Sequence, residues 1–129
     1  MKDTQISVFL FNRTGELARM TAHLAKFNIN IKALSIVDAT DHAVIRMITN
    51  DADKAAAALL ELNYGFIRSD VIVVEIPDRP GSLSELCAKL SDAGINIRYI
   101  YGTVTPGGGV ASAVINTNDN DAAEKLTSG

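Results

Sequence analysis

The chain repeats itself. Arg13, Gly15, Leu17 and Leu24 recur 66 positions later as Arg79, Gly81, Leu83 and Leu90, and Ile29-Asn30-Ile31 recurs as Ile95-Asn96-Ile97. Further on the offset becomes 68, where Thr49-Asn50-Asp51 recurs as Thr117-Asn118-Asp119 and Asp53 as Asp121. The longer glycine turn Pro106-Gly107-Gly108-Gly109 absorbs the difference. Agreement at such separated positions means that one supersecondary unit is built twice. A unit of roughly 65 residues buries only about 60% of its unfolded surface. The two units are therefore expected to pack on each other or on another subunit, as domains 1–69 and 70–129.

Each unit reads as strand, helix, strand, strand, helix, strand. In the first strand Ile6, Val8 and Leu10 fall on one face, and Phe9 and Phe11 on the other. Leu17, Met20, Leu24 and Phe27 follow at helical spacing, and Asn28 suits a left-handed cap. Ile31–Val37 and Ala43–Thr49 read as strands around the turn 38–41. Asp51 begins a helix carrying four consecutive alanines, and Phe66–Arg68 reads as a short fourth strand. The second unit follows the same order: strand 71–76, turn 78–81, helix to about 93, Gly94 as cap, and strands 97–104 and 110–115. This is the ferredoxin-like βαββαβ plan, an α+β fold with helices on one face of an antiparallel sheet. After Thr49 the first unit has 21 residues before Val71, whereas 12 residues follow Thr117. The second unit thus reads as lacking its last strand, which leaves an edge open to pairing. Both sheet faces are rather apolar, with Leu34 and Ile36 opposing Ile31 and Val37. Part of the helix-free face, or an edge, is expected to be covered.

Composition narrows the functional classes. Net charge is −3, Trp is absent and no basic cluster exists, so nucleic acid is not the expected partner. A single cysteine, Cys87, excludes an internal disulfide and a thiolate metal cluster, and it falls in the apolar stripe of its helix as expected packing. The first apolar run, Ile6–Phe11, is too short for a signal segment or a membrane span. The reading is a cytoplasmic protein without a membrane partner.

The stretch with chemical potential is Asp78-Arg79-Pro80-Gly81, between an apolar strand and a helix start, with its copy Asn12-Arg13-Thr14-Gly15. An amino acid ligand needs donors for its carboxylate, acceptors for its ammonium and a shaped space for its side chain. The N–H groups of Gly81, Ser82 and Leu83 would be free at the helix start, which attracts anions. Asp78 or the amide oxygen of Asn12 can accept from an ammonium. Pro80 suits a first helical position and Gly81 permits close approach. These four residues read equally well as a plain connector with a capping Asp. Asn30 and Asn96 stand at the far end of their own helices, so they could reach a turn across an interface between units.

The two units resemble tandem ACT domains, small regulatory modules of amino acid metabolism. The resemblance rests on Asp78-Arg79-Pro80-Gly81-Ser82-Leu83 followed by Gly94-Ile95-Asn96-Ile97, and more loosely on Asn12-Arg13-Thr14-Gly15 and Asn28-Ile29-Asn30-Ile31. Thr14 departs from the usual Pro. The resemblance implies side-by-side pairing, a homodimer or higher oligomer, and an amino acid held by the turn of one domain and the Asn before the second strand of its neighbour. The implied ligand set is Asn12, Arg13, Gly15, Glu16, Leu17 and Asn30 with Asp78, Arg79, Gly81, Ser82, Leu83, Asn96 and Ile97. It further implies a stand-alone module that controls a separate metabolic enzyme. The alternative is a structural or interaction subunit of the same fold with a vestigial site.

Catalysis is not expected. His23 matches Lys89 and reads as a solvated helix residue without an acid–base partner. His42 adjoins Asp38 and Asp41, but no second His supports a metal site there. Asp51, Asp53, Asp119 and Asp121 read as helix-start carboxylates. The glycine turn lacks the Lys-Ser/Thr of a phosphate loop. Neither cofactor nor metal is expected.

Overall fold

A computed structural model describes residues 1–104 and 107–127. Pro106 of the expected glycine turn lies outside them. The element order is β1 (Lys2–Phe11), α1 (Glu16–Lys26), β2 (Ile31–Ala39), β3 (His42–Thr49), α2 (Ala52–Glu61), β4 (Gly65–Pro77), α3 (Ser82–Asp92), β5 (Ile97–Val104), β6 (Val110–Thr117) and α4 (Asn120–Thr127). Two βαββαβ-like units result. One comprises residues 4–69, and the other residues 70–129 together with residues 1–3.

In the N-terminal unit the strands lie in the order β2, β3, β1, β4. The β1–β3 pairing sets Ile6 opposite Met47, Val8 opposite Ile45 and Leu10 opposite Ala43. These side chains bury against Met20 and Leu24 of α1 and Ala55, Ala58 and Leu59 of α2. The alanines let α2 approach the sheet closely, and Asp51 starts that helix by accepting the N–H of Lys54 at 3.1 Å. Asn28 takes φ 60°, the left-handed conformation expected of a helix stop. The register corrects one expectation. A shift between Ile31 and Ala33 turns Ile31 toward the helix side, where it packs on the core, so it does not oppose Leu34 and Ile36. Leu34 and Ile36 pair with Met47 and Ile45 on that side, yet stay exposed on the outer strand β2. On the helix-free face Phe9 and Phe11 are exposed, whereas Gln5 and Ile48 are buried.

In the C-terminal unit β6 lies between β4 and β5. Ile72, Val74, Ala113 and Ile115 face Leu86 and Leu90 of α3 and Ala123 of α4 in a second core. The shift seen in β2 recurs between Ile97 and Tyr99. Cys87 differs from expectation. It is half-buried and outside this core, because Leu86 and Leu90 carry the buried stripe of α3.

The position of a fourth strand beside β4 is taken by the first residues of the chain. Met1 and Val73 exchange backbone hydrogen bonds, the Met1 ammonium donating to the Val73 carbonyl at 3.0 Å and the Val73 N–H to the Met1 carbonyl at 2.8 Å. The Lys2 N–H donates to a Glu124 carboxylate oxygen at 2.6 Å, and the Lys2 ammonium pairs with Asp121. This part of β4 is therefore not the open edge expected. Nor are there separate strands at 66–68 and 71–76. β4 runs unbroken for 13 residues, because no Gly or Pro interrupts Phe66–Ile76. The Asp70 carbonyl within it accepts from the Asn116 and Asn120 amides at 3.0 and 2.9 Å.

Candidate ligand site

The strand-to-helix turns are built alike. In the first, Arg13 N–H donates to the Phe11 carbonyl (2.9 Å), Glu16 N–H to Arg13 (3.2 Å) and Arg19 N–H to Gly15 (2.9 Å). In the second, Arg79 N–H donates to Pro77 (3.0 Å), Ser82 N–H to Arg79 (3.3 Å) and Glu85 N–H to Gly81 (2.9 Å). Gly15 and Gly81 precede their helices at φ 88° and 91°, a left-handed conformation that opens the turn and that side chains resist. One expected donor is thereby engaged, since the Ser82 N–H is bonded within the turn. The Leu83 and Ser84 N–H groups, in the first turn of α3, have no intrahelical partner.

The side chains of the two turns have different surroundings. The Asn12 amide donates to Asp38 Oδ1 (2.9 Å) and the Thr40 carbonyl (3.0 Å), clamping the β2–β3 turn. Arg13 lies over the Phe11 ring at 4.6 Å and pairs with Glu16 at 3.4 Å. Arg79 instead pairs with Glu85 at 3.1 Å. Asp78 is exposed, and its backbone N–H donates to the Gly109 carbonyl at 3.0 Å.

Beside the second turn lies a cavity of about 320 Å³, within the usual span of small-molecule pockets. Asp78, Arg79, Ser82 and Leu83 line its rim, and Ile76, Ile100, Gly102, Ala111 and Ala113 its apolar wall. The repeat sets small residues in this wall, and at Gly102 the strands approach so closely that a Cβ would stand 2.9 Å from the Ser112 carbonyl oxygen. Gly102 and Ala113 are paired across β5–β6, at the positions where the first unit pairs Ile36 with Ile45. The same comparison within the sequence would have found these residues, which sequence reasoning missed. Ser82 is 4% exposed, and its hydroxyl is buried without a hydrogen-bond partner among the described residues.

Beside the first turn lies a different pocket of about 430 Å³, between β1, α1 and the start of β4. Arg13 and Glu16 of the expected set line it, together with Phe9, Phe11, Arg19, His23, His42 and Tyr64. His23 is therefore not a solvated helix residue. It is half-buried, with Nδ1 3.4 Å from the Tyr64 hydroxyl. His42 rests against Phe11, with ring centroids 5.2 Å apart. No group of three or more His, Cys, Asp or Glu side chains able to hold a metal occurs among the described residues.

Asn30 and Asn96 line neither pocket. Each stands beyond its helix, about 16 Å along an eleven-residue helix from the turn at the other end. Their backbones are held by Asn50 and Asn118, whose Oδ1 atoms accept the Asn30 and Asn96 N–H groups at 2.9 Å. Gly15, Gly81 and Leu17 shape the turn and core rather than a pocket wall, and Ile97 packs on the second core.

A doubled βαββαβ chain with a glycine-opened turn before each first helix is a paired α+β module of ferredoxin-like plan. The family model "ACT domain pair" matches residues 1–127, and the chain belongs to that family. Among solved structures it is similar to protein BT0572 from Bacteroides thetaiotaomicron, with a TM-score of 0.92, 35% identity, and 98% of this chain and 86% of that one covered. It is also similar to the ligand-free regulatory subunit of aspartate kinase from Thermus thermophilus, with a TM-score of 0.70, 18% identity, and coverage of 95% and 89%. The corresponding subunit from Thermus flavus gives 0.67 and 20%, with coverage of 99% and 94%. Comparison with curated proteins finds no match. No helix among the described residues is long and apolar enough to cross a membrane.

Proposed function

We propose that this protein is a non-catalytic regulatory module that binds a free amino acid at the strand-to-helix turn of an ACT domain and controls an enzyme of amino acid metabolism in trans. The observation that carries this reading is the second turn. There a carboxylate (Asp78), the start of α3 at Leu83 and a cavity adjoin one another. They supply the acceptor, donors and space that an amino acid requires. The fold shared with aspartate kinase regulatory subunits supports a regulatory role by analogy of architecture. In this reading the domains 1–69 and 70–129 act as a cytoplasmic homodimer or higher oligomer. Asn30 or Asn96 completes a site contributed by a paired domain, so binding favours one arrangement of domains over another.

A second reading has one observation in its favour. The Asn12 NH2 group clamps Asp38 and the Thr40 carbonyl, as expected of a turn kept for structure. The protein would then be a structural or interaction subunit of the same fold with a vestigial ligand site. A thermal-shift screen against the twenty amino acids at about 10 mM decides between them. Ligand bound selectively by the folded state at about ten times its Kd stabilises by about 1.4 kcal/mol, a shift of several degrees. No shift with any amino acid, and no effect of Asp78→Ala with Asn96→Ala on a physiological partner, rejects the regulatory reading.

A further inference from the structure

We infer that the second turn selects an aliphatic α-amino acid, and that the first turn has no equivalent site. The inference rests on the amino acid-binding reading above and names the ligand class. The cavity in the C-terminal unit is polar at one end and apolar at the other. At the polar end stand the Asp78 carboxylate and the start of α3, where the Leu83 N–H has no intrahelical partner. The apolar end is formed by Ile76, Ile100, Ala111, Ala113 and Leu83, without a charged side chain. Arg79, the cation at the rim, is paired with Glu85 at 3.1 Å and so is not left to neutralise an acidic ligand side chain.

The ammonium is thus assigned to Asp78, the carboxylate to the start of α3 and the hydrocarbon side chain to the apolar wall of Ile76, Ile100, Ala111 and Ala113. A charged ligand side chain would be buried there without a partner, which is strongly unfavourable. In the N-terminal unit the larger Ile36 and Ile45 stand at the paired positions of Gly102 and Ala113. The pocket found there instead opens between β1, α1 and the start of β4, among two arginines and two histidines.

Isothermal titration of the intact chain with leucine, isoleucine, valine, aspartate, glutamate and lysine tests this. The expected result is binding of at least one aliphatic amino acid with a Kd between about 10 μM and a few millimolar, one site per chain, and no heat from the charged three at the same concentration. The keto acid 4-methyl-2-oxopentanoate, lacking the ammonium, should bind at least tenfold more weakly than leucine. Ala111→Leu, filling the wall, and Leu83→Ser, on an exposed position, should each weaken aliphatic binding at least tenfold. Leu83→Ser guards against a folding defect in Ala111→Leu. Preferential binding of a charged amino acid, two equal sites per chain, or full affinity in Leu83→Ser overturns the inference while leaving the regulatory reading standing. Silence with every amino acid overturns both.

Discussion

Asn50 grips Asn30 from both sides of its backbone. The Asn30 N–H donates to the Asn50 side chain at 2.9 Å, and the Asn50 N–H donates to the Asn30 carbonyl at 3.0 Å. Asn118 holds Asn96 in the same way at 2.9 and 3.1 Å. The asparagine that ends each third strand therefore fixes the start of the second strand.

Removing the side chain should loosen that start. Asn118→Ala leaves the Asn96 N–H without its protein acceptor, at a partly solvated position. The expected loss is about 1 kcal/mol in a urea melt. If ligand binding needs Asn96 in place, affinity should fall with it. Asn118→Asp, which keeps an acceptor oxygen, should retain most of the stability. Equal losses in both variants would reject the hydrogen bond as the cause.

Gly15 meets no atom within 4 Å of where a Cβ would stand, and the same site at Gly81 has a single flexible arginine atom at 4.0 Å. Any penalty for alanine there is thus due to backbone rather than crowding. With φ near +90° at both, Gly15→Ala and Gly81→Ala should each destabilise by about 1–2 kcal/mol. Asparagine, more tolerant of left-handed backbone, should do less harm at either position. Thermal melts of the four variants check the order.

The repeat made the fold legible, because matched leucines, glycines and asparagines constrain element order twice over. The buried faces of β1 and α1 followed from alternation and helical spacing. Three things escaped. The strand shift at Ile31 depends on backbone pairing that leaves no residue signature. The seating of Met1–Asp3 beside β4 joins positions more than 60 residues apart, which local patterns do not report. The cavity beside Asp78 is walled by small residues opposite one another on β5 and β6, and Gly102 is conspicuous only when it is compared with Ile36. The turn itself was legible as a candidate. Its partition into an engaged Ser82 N–H and unengaged neighbours needed coordinates.

The Lys2–Asp121 pair should give stability a defined pH window. The hydrogen bond from Lys2, and then its charge, hold the Asp121 carboxyl below the usual carboxylate range. The same contact, hydrogen bond first, raises the Lys2 ammonium. A lowered carboxyl stabilises above its unfolded value of about 3.9 and loses the effect as pH falls through its folded value. A raised ammonium stabilises below about 10.4 and loses the effect as pH rises through its folded value. Wild type should therefore melt slightly above Lys2→Met between about pH 5 and pH 9, and the curves should converge in acid. Both groups are exposed, so salt near 1 M, with a Debye length of about 3 Å, should also erase the difference. A gap that persists in acid and in salt would assign the effect to packing.

Thr49 and Thr117 occupy the same place in the two units but are wired differently. The Thr117 hydroxyl donates to Asn120 Oδ1 at 2.9 Å and accepts the Asp119 N–H at 3.1 Å. The Thr49 hydroxyl is buried with no partner among the described residues. The sequence supplies the reason, since the residue three beyond Thr117 is Asn120, and the one three beyond Thr49 is Ala52. Valine has nearly the shape of threonine without the hydroxyl, so it separates the two cases. Thr117→Val removes both bonds and strands the Asp119 N–H near the start of α4, while Asn120 Oδ1 keeps the Thr117 N–H at 3.0 Å, and it should cost about 1–2 kcal/mol. Thr49→Val removes a desolvated hydroxyl that makes no bond, and should be neutral or stabilise by up to about 1 kcal/mol. Urea melts of the two variants beside wild type read this directly. A loss at Thr49 equal to that at Thr117 would mean that an ordered water serves the Thr49 hydroxyl.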